Sequence, residues 1–187
     1  MVGDQGAGKS SLMRRFVDDE FTDNYSATIG VEFQIKTLLV EDETVQMQIW
    51  DPAGHERFRT IVSSYFRGTD AALLIFDLSN KSTFHHLEDW IGRLQENSVN
   101  NLVLVGSKAD QLPHHVSDEE VQEFCARYDN IPYIATSSKT NHNVSEVFLR
   151  VALQLVKQPV SHIRKTASLR LSQPLKPEPT KKKGGCC

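Results

Sequence analysis

Apolar and polar residues alternate along this chain in two rhythms. Gly8 to Asp19 carries Leu12, Phe16 and Met13 at helical spacing, which predicts a helix with those residues inward. Val31 to Val40 reads as a strand and Glu41-Asp42-Glu43 as a polar turn. Thr44 to Trp50 alternates, with Val45, Met47 and Ile49 on one face, so the two segments are expected to form a hairpin. Ala71-Ala72-Leu73-Leu74-Ile75-Phe76 is a continuous apolar run, as a strand buried on both faces requires. Leu102-Val103-Leu104-Val105 is a second such run, and Ile131 to Ala135 a third. Ser82 to Glu96 places Phe84, Leu87, Trp90, Ile91 and Leu94 at helical spacing. Ser117-Asp118-Glu119-Glu120 has the form of a capping box opening a helix to about Tyr128. Asn143-Val144-Ser145-Glu146 opens a last helix, ending near Val156, in which Val147, Val151 and Leu155 repeat every four residues. Strands alternating with helices predict an α/β sheet with crossover connections.

After Lys157 the rhythm stops. Pro159, Pro174, Pro177 and Pro179, with scattered Ser and Lys, cannot bury enough surface to fold, so residues 158–187 are expected to be a disordered tail. The 187 residues then suit one domain, about 1–157, rather than two. Charge divides at the same place. Residues 1–156 hold 13 Lys/Arg against 23 Asp/Glu; residues 157–187 hold 8 against 1. A basic tail on an acidic body favours an anionic membrane leaflet over nucleic acid, whose phosphates the body would repel. No run of eighteen apolar residues predicts a transmembrane helix, and Met1-Val2-Gly3-Asp4 does not resemble a secretory signal, so a cytosolic origin is expected. Cys125 falls in a helical pattern and reads as a small core residue. Cys186 and Cys187 end the chain. Adjacent cysteines suit neither a zinc site by themselves nor a cytosolic disulfide, which leaves modification.

The first chemical motif is Gly3-Asp4-Gln5-Gly6-Ala7-Gly8-Lys9-Ser10, which matches G-x-x-x-x-G-K-[ST]. Its glycines let backbone N–H groups wrap a phosphate, and the positive end of the following helix points at the same place. Lys9 would reach the β- and γ-phosphates, and the Ser10 hydroxyl would bind Mg²⁺. Three weaker motifs follow predicted strands. In Asp51-Pro52-Ala53-Gly54, the acid can hold Mg²⁺ through water and the glycine can offer its N–H to a γ-phosphate. In Lys108-Ala109-Asp110, the acid can accept both N–H groups of guanine, which adenine does not offer. Ser137-Ser138-Lys139 places backbone N–H groups where a purine O6 can meet them. Each has an ordinary reading as a strand-ending turn. All three lie just past the C-terminal end of a predicted strand, where an open α/β sheet binds its ligands.

Together these motifs resemble the G boxes of Ras-like GTPases, in the usual order. Ile29-Gly30-Val31-Glu32-Phe33, Trp50-Asp51-Pro52-Ala53-Gly54-His55-Glu56-Arg57-Phe58, Tyr65-Phe66-Arg67-Gly68 and the Gly184-Gly185-Cys186-Cys187 ending resemble the Rab branch in particular. The resemblance covers about residues 1–157 and the last four. It implies a P-loop NTPase fold: a mostly parallel sheet, one antiparallel hairpin strand and helices on both faces. It implies GTP/GDP and Mg²⁺ as ligands. Nucleotide contacts would come from Gly3 through Ser11, Phe21 at the base edge, Thr28, Gly54, Ser107, Lys108, Asp110, Ser137, Ser138 and Lys139. Ser10, Thr28 and Asp51 would hold the metal, and Lys9, Gly54 and His55 would serve the chemistry. Phe33, Trp50 and Tyr65, with Ile29 and Phe58, would face effectors, although core packing explains such an aromatic trio equally well. Cys186 and Cys187 would be prenylated.

What the resemblance implies for function is a switch of vesicle and membrane traffic, ordered by GTP and released by hydrolysis. Effector proteins, an exchange factor, a GTPase-activating protein, a prenylation escort and a GDP-dissociation inhibitor would be its partners, with no nucleic acid. The protein would be a monomer on the cytosolic face of intracellular or plasma membranes, with a cytosolic pool. Four positions depart from the family: Gln5 stands for Ser, Pro52 for Thr, His55 for the water-orienting Gln, and Ser107 for Asn. These imply slow intrinsic hydrolysis and weakened nucleotide affinity. They also support an alternative, a hydrolysis-deficient module that holds GTP as a scaffold. Ras-like domains further begin with a central strand running into the phosphate loop. Only Met1 and Val2 precede Gly3, so that strand is expected to be missing or supplied elsewhere, as a truncated gene model or alternative start would leave it.

Overall fold

The computed structural model describes residues 1–24, 26–54 and 65–157. Its elements are helix α1 (Lys9–Asp18), strands β1 (Val31–Val40), β2 (Glu43–Pro52) and β3 (Ala72–Asp77), helices α2 (Lys81–His85) and α3 (Leu87–Glu96), strand β4 (Leu102–Ser107), helix α4 (Asp118–Arg127), strand β5 (Tyr133–Ala135) and helix α5 (Val144–Val156). Strands β3, β4 and β5 form a parallel sheet in that order. Strands β1 and β2 form the expected antiparallel hairpin, in register from Val31 opposite Pro52 to Val40 opposite Glu43. Its turn is Glu41-Asp42, both at positive φ, the conformation a two-residue hairpin turn needs to match strand twist.

Every residue of β3 and β4 is buried, because helices cover both faces. Alternation along β3 assigns its side chains to two cores. Leu74 and Phe76 join Leu104 on one face, under Phe84, Leu87, Trp90, Ile91, Leu94, Val121 and Phe124 from α2, α3 and α4. Leu73 and Ile75 join Val103 and Val105 on the other, under Leu12, Met13 and Phe16 of α1 and Val147, Phe148 and Val151 of α5. Phe16 and Phe148 stack with ring centroids 3.8 Å apart, fixing α1 against α5. Cys125 is half-buried against the first core, and burial pushes its thiol up from the usual value.

Two elements differ from the sequence expectation. The helix expected over Ser82–Glu96 is two helices. Asn80 caps the first, accepting the Ser82 N–H at 3.2 Å, and His86 ends it and starts the second. The apolar spacing runs through unbroken because a single residue separates them. Strand β5 begins at Tyr133 rather than Ile131, since Pro132 has no N–H to give the ladder, though its carbonyl still accepts from Leu104 at 2.8 Å. Ahead of the phosphate loop, Val2 bridges β3. Its N–H donates to Leu73 O and its carbonyl accepts from Ile75 N–H, both at 2.8 Å. The Met1 amine donates to the Trp50 carbonyl of β2, also at 2.8 Å. These two residues lie between the hairpin and the parallel sheet. Among the described residues no helix is long and apolar enough to cross a membrane.

Candidate functional site

Between Val2 and α1 the chain closes a tight loop. Gly3 has φ 145°, and a Cβ there would lie 2.1 Å from the Ile75 carbonyl oxygen, so only glycine lets the loop leave β3 this closely. Gly6 and Gly8 also have positive φ, and the Ala7 N–H donates to Asp4 O at 3.2 Å. Gly8 caps α1 with no side-chain acceptor, so the first-turn N–H groups of Lys9, Ser10 and Ser11 are available to a ligand at the positive helix end. Ala7 is buried, while Gln5 is exposed. The Lys9 side chain is buried and folds back over the loop, donating to Gly3 O and Asp4 O, each at 2.9 Å. Burial pushes its ammonium down from the ordinary value, against the upward pull of Asp51 and Asp4.

Three oxygen-bearing side chains meet at the head of α1. Ser10 Oγ lies 2.7 Å from Thr28 Oγ1 and donates to Asp51 Oδ2 at the end of β2. Asp51 is fully buried, and its Oδ1 has no hydrogen-bond partner. Burial raises its carboxyl above the usual range, with the Ser10 hydroxyl and the Lys9 charge opposing. A buried carboxylate with an orphaned oxygen beside two hydroxyls offers an all-oxygen ligand set, which fits a hard divalent cation such as Mg²⁺. Gly54 completes the cradle: a Cβ there would lie 2.4 Å from Lys9 Nζ and 2.6 Å from both the Asp4 carbonyl carbon and the Gln5 nitrogen. Its backbone comes this close to the loop only because it lacks a side chain.

The residues expected to contact the base gather at the C-terminal ends of β4 and β5. Ser107 Oγ lies 2.6 Å from Ala7 O and 2.9 Å from Phe76 O, and its one proton serves both. Ser107 therefore ties β4 to the phosphate loop as the family Asn would, with fewer protons. Lys108, at φ 57°, donates to Asp77 Oδ2 at 2.6 Å, while Ser79 holds Asp77 Oδ1 through its N–H at 2.8 Å and its hydroxyl at 2.6 Å. Asp110 Oδ1 accepts from Ser137 Oγ at 2.6 Å, and Ser137 Oγ in turn accepts from the Thr140 N–H at 3.0 Å. Ser138 O accepts from Arg15 Nε at 2.8 Å; the Arg15 guanidinium also lies 6.0 Å from the centre of the Phe21 ring. Lys139 pairs with Asp23 at 3.1 Å. Phe21, Asp110, Ser137 and Lys139 are thus brought to one edge.

Some expected residues stand apart. Ile29 is 93% exposed, and Phe33, Trp50 and Tyr65 are each about 40% exposed rather than in a core. Their rings form a row, Phe33 to Trp50 at 4.6 Å and Trp50 to Tyr65 at 5.7 Å. His55, Phe58, Cys186 and Cys187 lie outside the described residues. The structure also adds residues that motif reading overlooked. Asp77, which holds Lys108, sits at the C-terminal end of β3 and was open to the same strand-end rule as the others. Arg15, His86 and Trp90 carry no local signal; His86 and Trp90 reach Asp4 from more than eighty residues away.

Comparison with known proteins agrees with this arrangement. The model of the Ras family matches residues 1–157. The chain is 41% identical to the GTP-binding protein ypt1 of Schizosaccharomyces pombe over 157 residues, 83% of this chain and 77% of that protein. It is 40% identical to the Ras-related protein Rab-1D of Dictyostelium discoideum over 168 residues, 89% and 82% of the two. The Ras-related protein RIC1 of Oryza sativa subsp. japonica is 34% identical over 189 residues, 100% of this chain and 94% of that protein.

Proposed function

Because the chain belongs to the Ras family, we propose that it is a guanine-nucleotide switch of membrane traffic that binds and hydrolyses GTP and recruits effectors while GTP is bound. One observation carries the reading: Ser10, Thr28 and the orphaned Asp51 carboxylate converge beside Lys9, at a helix end with no side-chain cap. The Asp51 Oδ1 atom is the unsatisfied acceptor of this cluster, and a bound divalent cation would satisfy it. The backbone N–H groups of the loop and α1 cradle the phosphates, Lys9 turns from the loop carbonyls to the phosphate oxygens, and Gly54 offers its N–H. Bound Mg²⁺ supplies charge neutralisation at the phosphates. Asp110 selects guanine, with Lys108 and Ser107 bracing its loop.

Switch action follows from which parts depend on the ligand. Thr28 sits one residue before the exposed Ile29, and Ala53 donates to Gly30 O at 2.9 Å, so the metal site and the exposed aromatic row share a short stretch of chain. Phe33, Trp50 and Tyr65 suit an effector surface, because apolar rings in water gain by docking. The basic tail, with Lys181-Lys182-Lys183 and prenylated Cys186 and Cys187, is the membrane anchor, since stable binding needs two signals. Hydrolysis is slow, since His55 replaces the Gln that orients the attacking water, Pro52 fixes a backbone angle just before Gly54, and Gln5 adds bulk beside the γ-phosphate.

The test is chromatography of nucleotide released from the purified protein, followed by single-turnover hydrolysis of loaded GTP. Bound GDP or GTP with slow measurable turnover is expected, and bound adenine nucleotide refutes the reading. Bound GTP with no turnover selects instead the hydrolysis-deficient scaffold, which the same three substitutions favour. Deleting Cys186 and Cys187 releases the protein from membranes; a shortened chain that still pellets with them refutes the anchor.

A further inference from the structure

The phosphate loop is held from a side that its motif does not specify. Asp4 occupies a variable position of the motif, yet its carboxylate is gripped at both oxygens. His86 Nδ1 lies 2.5 Å from Oδ2, and Trp90 Nε1 donates to Oδ1 at 3.2 Å. A carboxylate only accepts, so Nδ1 of His86 carries the proton of this bond. The two donors are four residues apart, hence on one face across a helical turn. They are also rigidly set. His86 is the joint between α2 and α3, with its N–H bonded to Ser82 O at 3.2 Å and its carbonyl to Trp90 N–H at 3.4 Å. The Trp90 ring is 1% exposed within the first core.

The grip falls on the residue about which the loop closes. The Asp4 carbonyl accepts from Lys9 Nζ and from the Ala7 N–H, and the Asp4–Gln5 peptide is the backbone against which Gly54 packs. Anchoring the Asp4 carboxylate restrains the position of its Cα, and with it the peptide that presents the loop's N–H groups. We propose that His86, with Trp90, is a positioning residue of the phosphate loop, holding Asp4 from the α2–α3 joint and so slowing release of bound guanine nucleotide. This rests on the nucleotide reading of the site.

The experiment measures GDP dissociation from the full-length protein by exchange against excess unlabelled GDP. His86→Ala is expected to speed release about tenfold or more, the usual scale for losing a hydrogen bond to a charged group. His86→Asn, whose amide nitrogen sits where Nδ1 sits, is expected to restore release to within about twofold of the parent. A role in helix packing alone predicts the opposite, since Asn lacks the ring. Trp90 gives a second readout. The chain has two tryptophans, so in a Trp50→Phe background emission comes from Trp90, and it is expected to change with the rate constant of GDP release. GDP that leaves His86→Ala at the parental rate, an Asn variant as fast as the Ala variant, or Trp90 emission flat through complete release each overturns the proposal while the nucleotide reading stands. A parent protein that binds no guanine nucleotide overturns both.

Discussion

Removing the Ser107 hydroxyl tests whether the base loop and phosphate loop are one unit. Ser107 is 4% exposed, and its single proton is shared between Ala7 O at 2.6 Å and Phe76 O at 2.9 Å. Ser107→Ala deletes that donor without opening room for water, because the side chain is packed against Gly8, whose Cβ position lies 3.3 Å from the hydroxyl oxygen. At least one buried carbonyl loses a partner, which costs about 1–3 kcal/mol. A mid-range 2 kcal/mol corresponds to about 4–8 °C in melting temperature for a domain of this size. The tie joins parts of the chain to one another, so the loss is expected with and without GDP and Mg²⁺. Scanning calorimetry of parent and variant under both conditions measures it. Ser107→Asn provides two amide protons for the two acceptors, and is expected to melt at or above the parent and to release GDP more slowly. A Ser107→Ala protein melting within about 1 °C of the parent in both conditions refutes the reasoning, since the bridge would then hold nothing together.

Three further outcomes are expected. Asp110→Asn shifts preference from guanine toward xanthine nucleotides, with a loss in GTP affinity of roughly 10⁴ in competition binding, the scale for an unmatched buried polar pair. Asp51 has a raised carboxyl, so its contribution to stability is fully present below the ordinary carboxylate range and is lost as pH rises through the raised value. Melting temperatures in EDTA should therefore fall as pH rises above the ordinary carboxylate range, and Asp51→Asn should flatten that slope while abolishing the effect of Mg²⁺ on GDP binding. His55→Gln speeds single-turnover GTP hydrolysis, and Gln5→Ser with His55→Gln speeds it further; slower turnover in His55→Gln would make His55 a working catalytic residue.

The sheet-and-helix order was legible because its signals are local. Continuous apolar runs marked β3 and β4, and the Ser117–Glu120 capping box marked α4, where both of its hydrogen bonds form. The tight glycine loop before α1 was legible for the same reason: eight consecutive residues write it. The joint at His86 was not, because a helix interrupted by one residue keeps its apolar spacing. The grip on Asp4 was hidden more deeply, as it depends on α2 and α3 being laid across the loop by tertiary packing. The orphaned Asp51 oxygen belongs to the same class: a sequence names an acid at a strand end, and only the surrounding burial decides that it lacks a partner. Exposure of the aromatic row was undecidable in advance, because alternation along a hairpin says which residues share a face and not which face is covered.

The division of β3 between two cores bears on how substitutions combine. Ile75 and Phe76 are neighbours in the chain, yet their side chains enter different clusters, one under α1 and α5, the other under α2, α3 and α4. Energetic independence usually goes with distance, and here a strand's pleat supplies it between adjacent residues. Truncations at 75 and 76 should sum, whereas truncations at 75 and Val147, seventy-two positions apart but in one cluster, should not. For anyone combining variants of this protein, sequence separation is the wrong ruler; parity along the central strand is the better one.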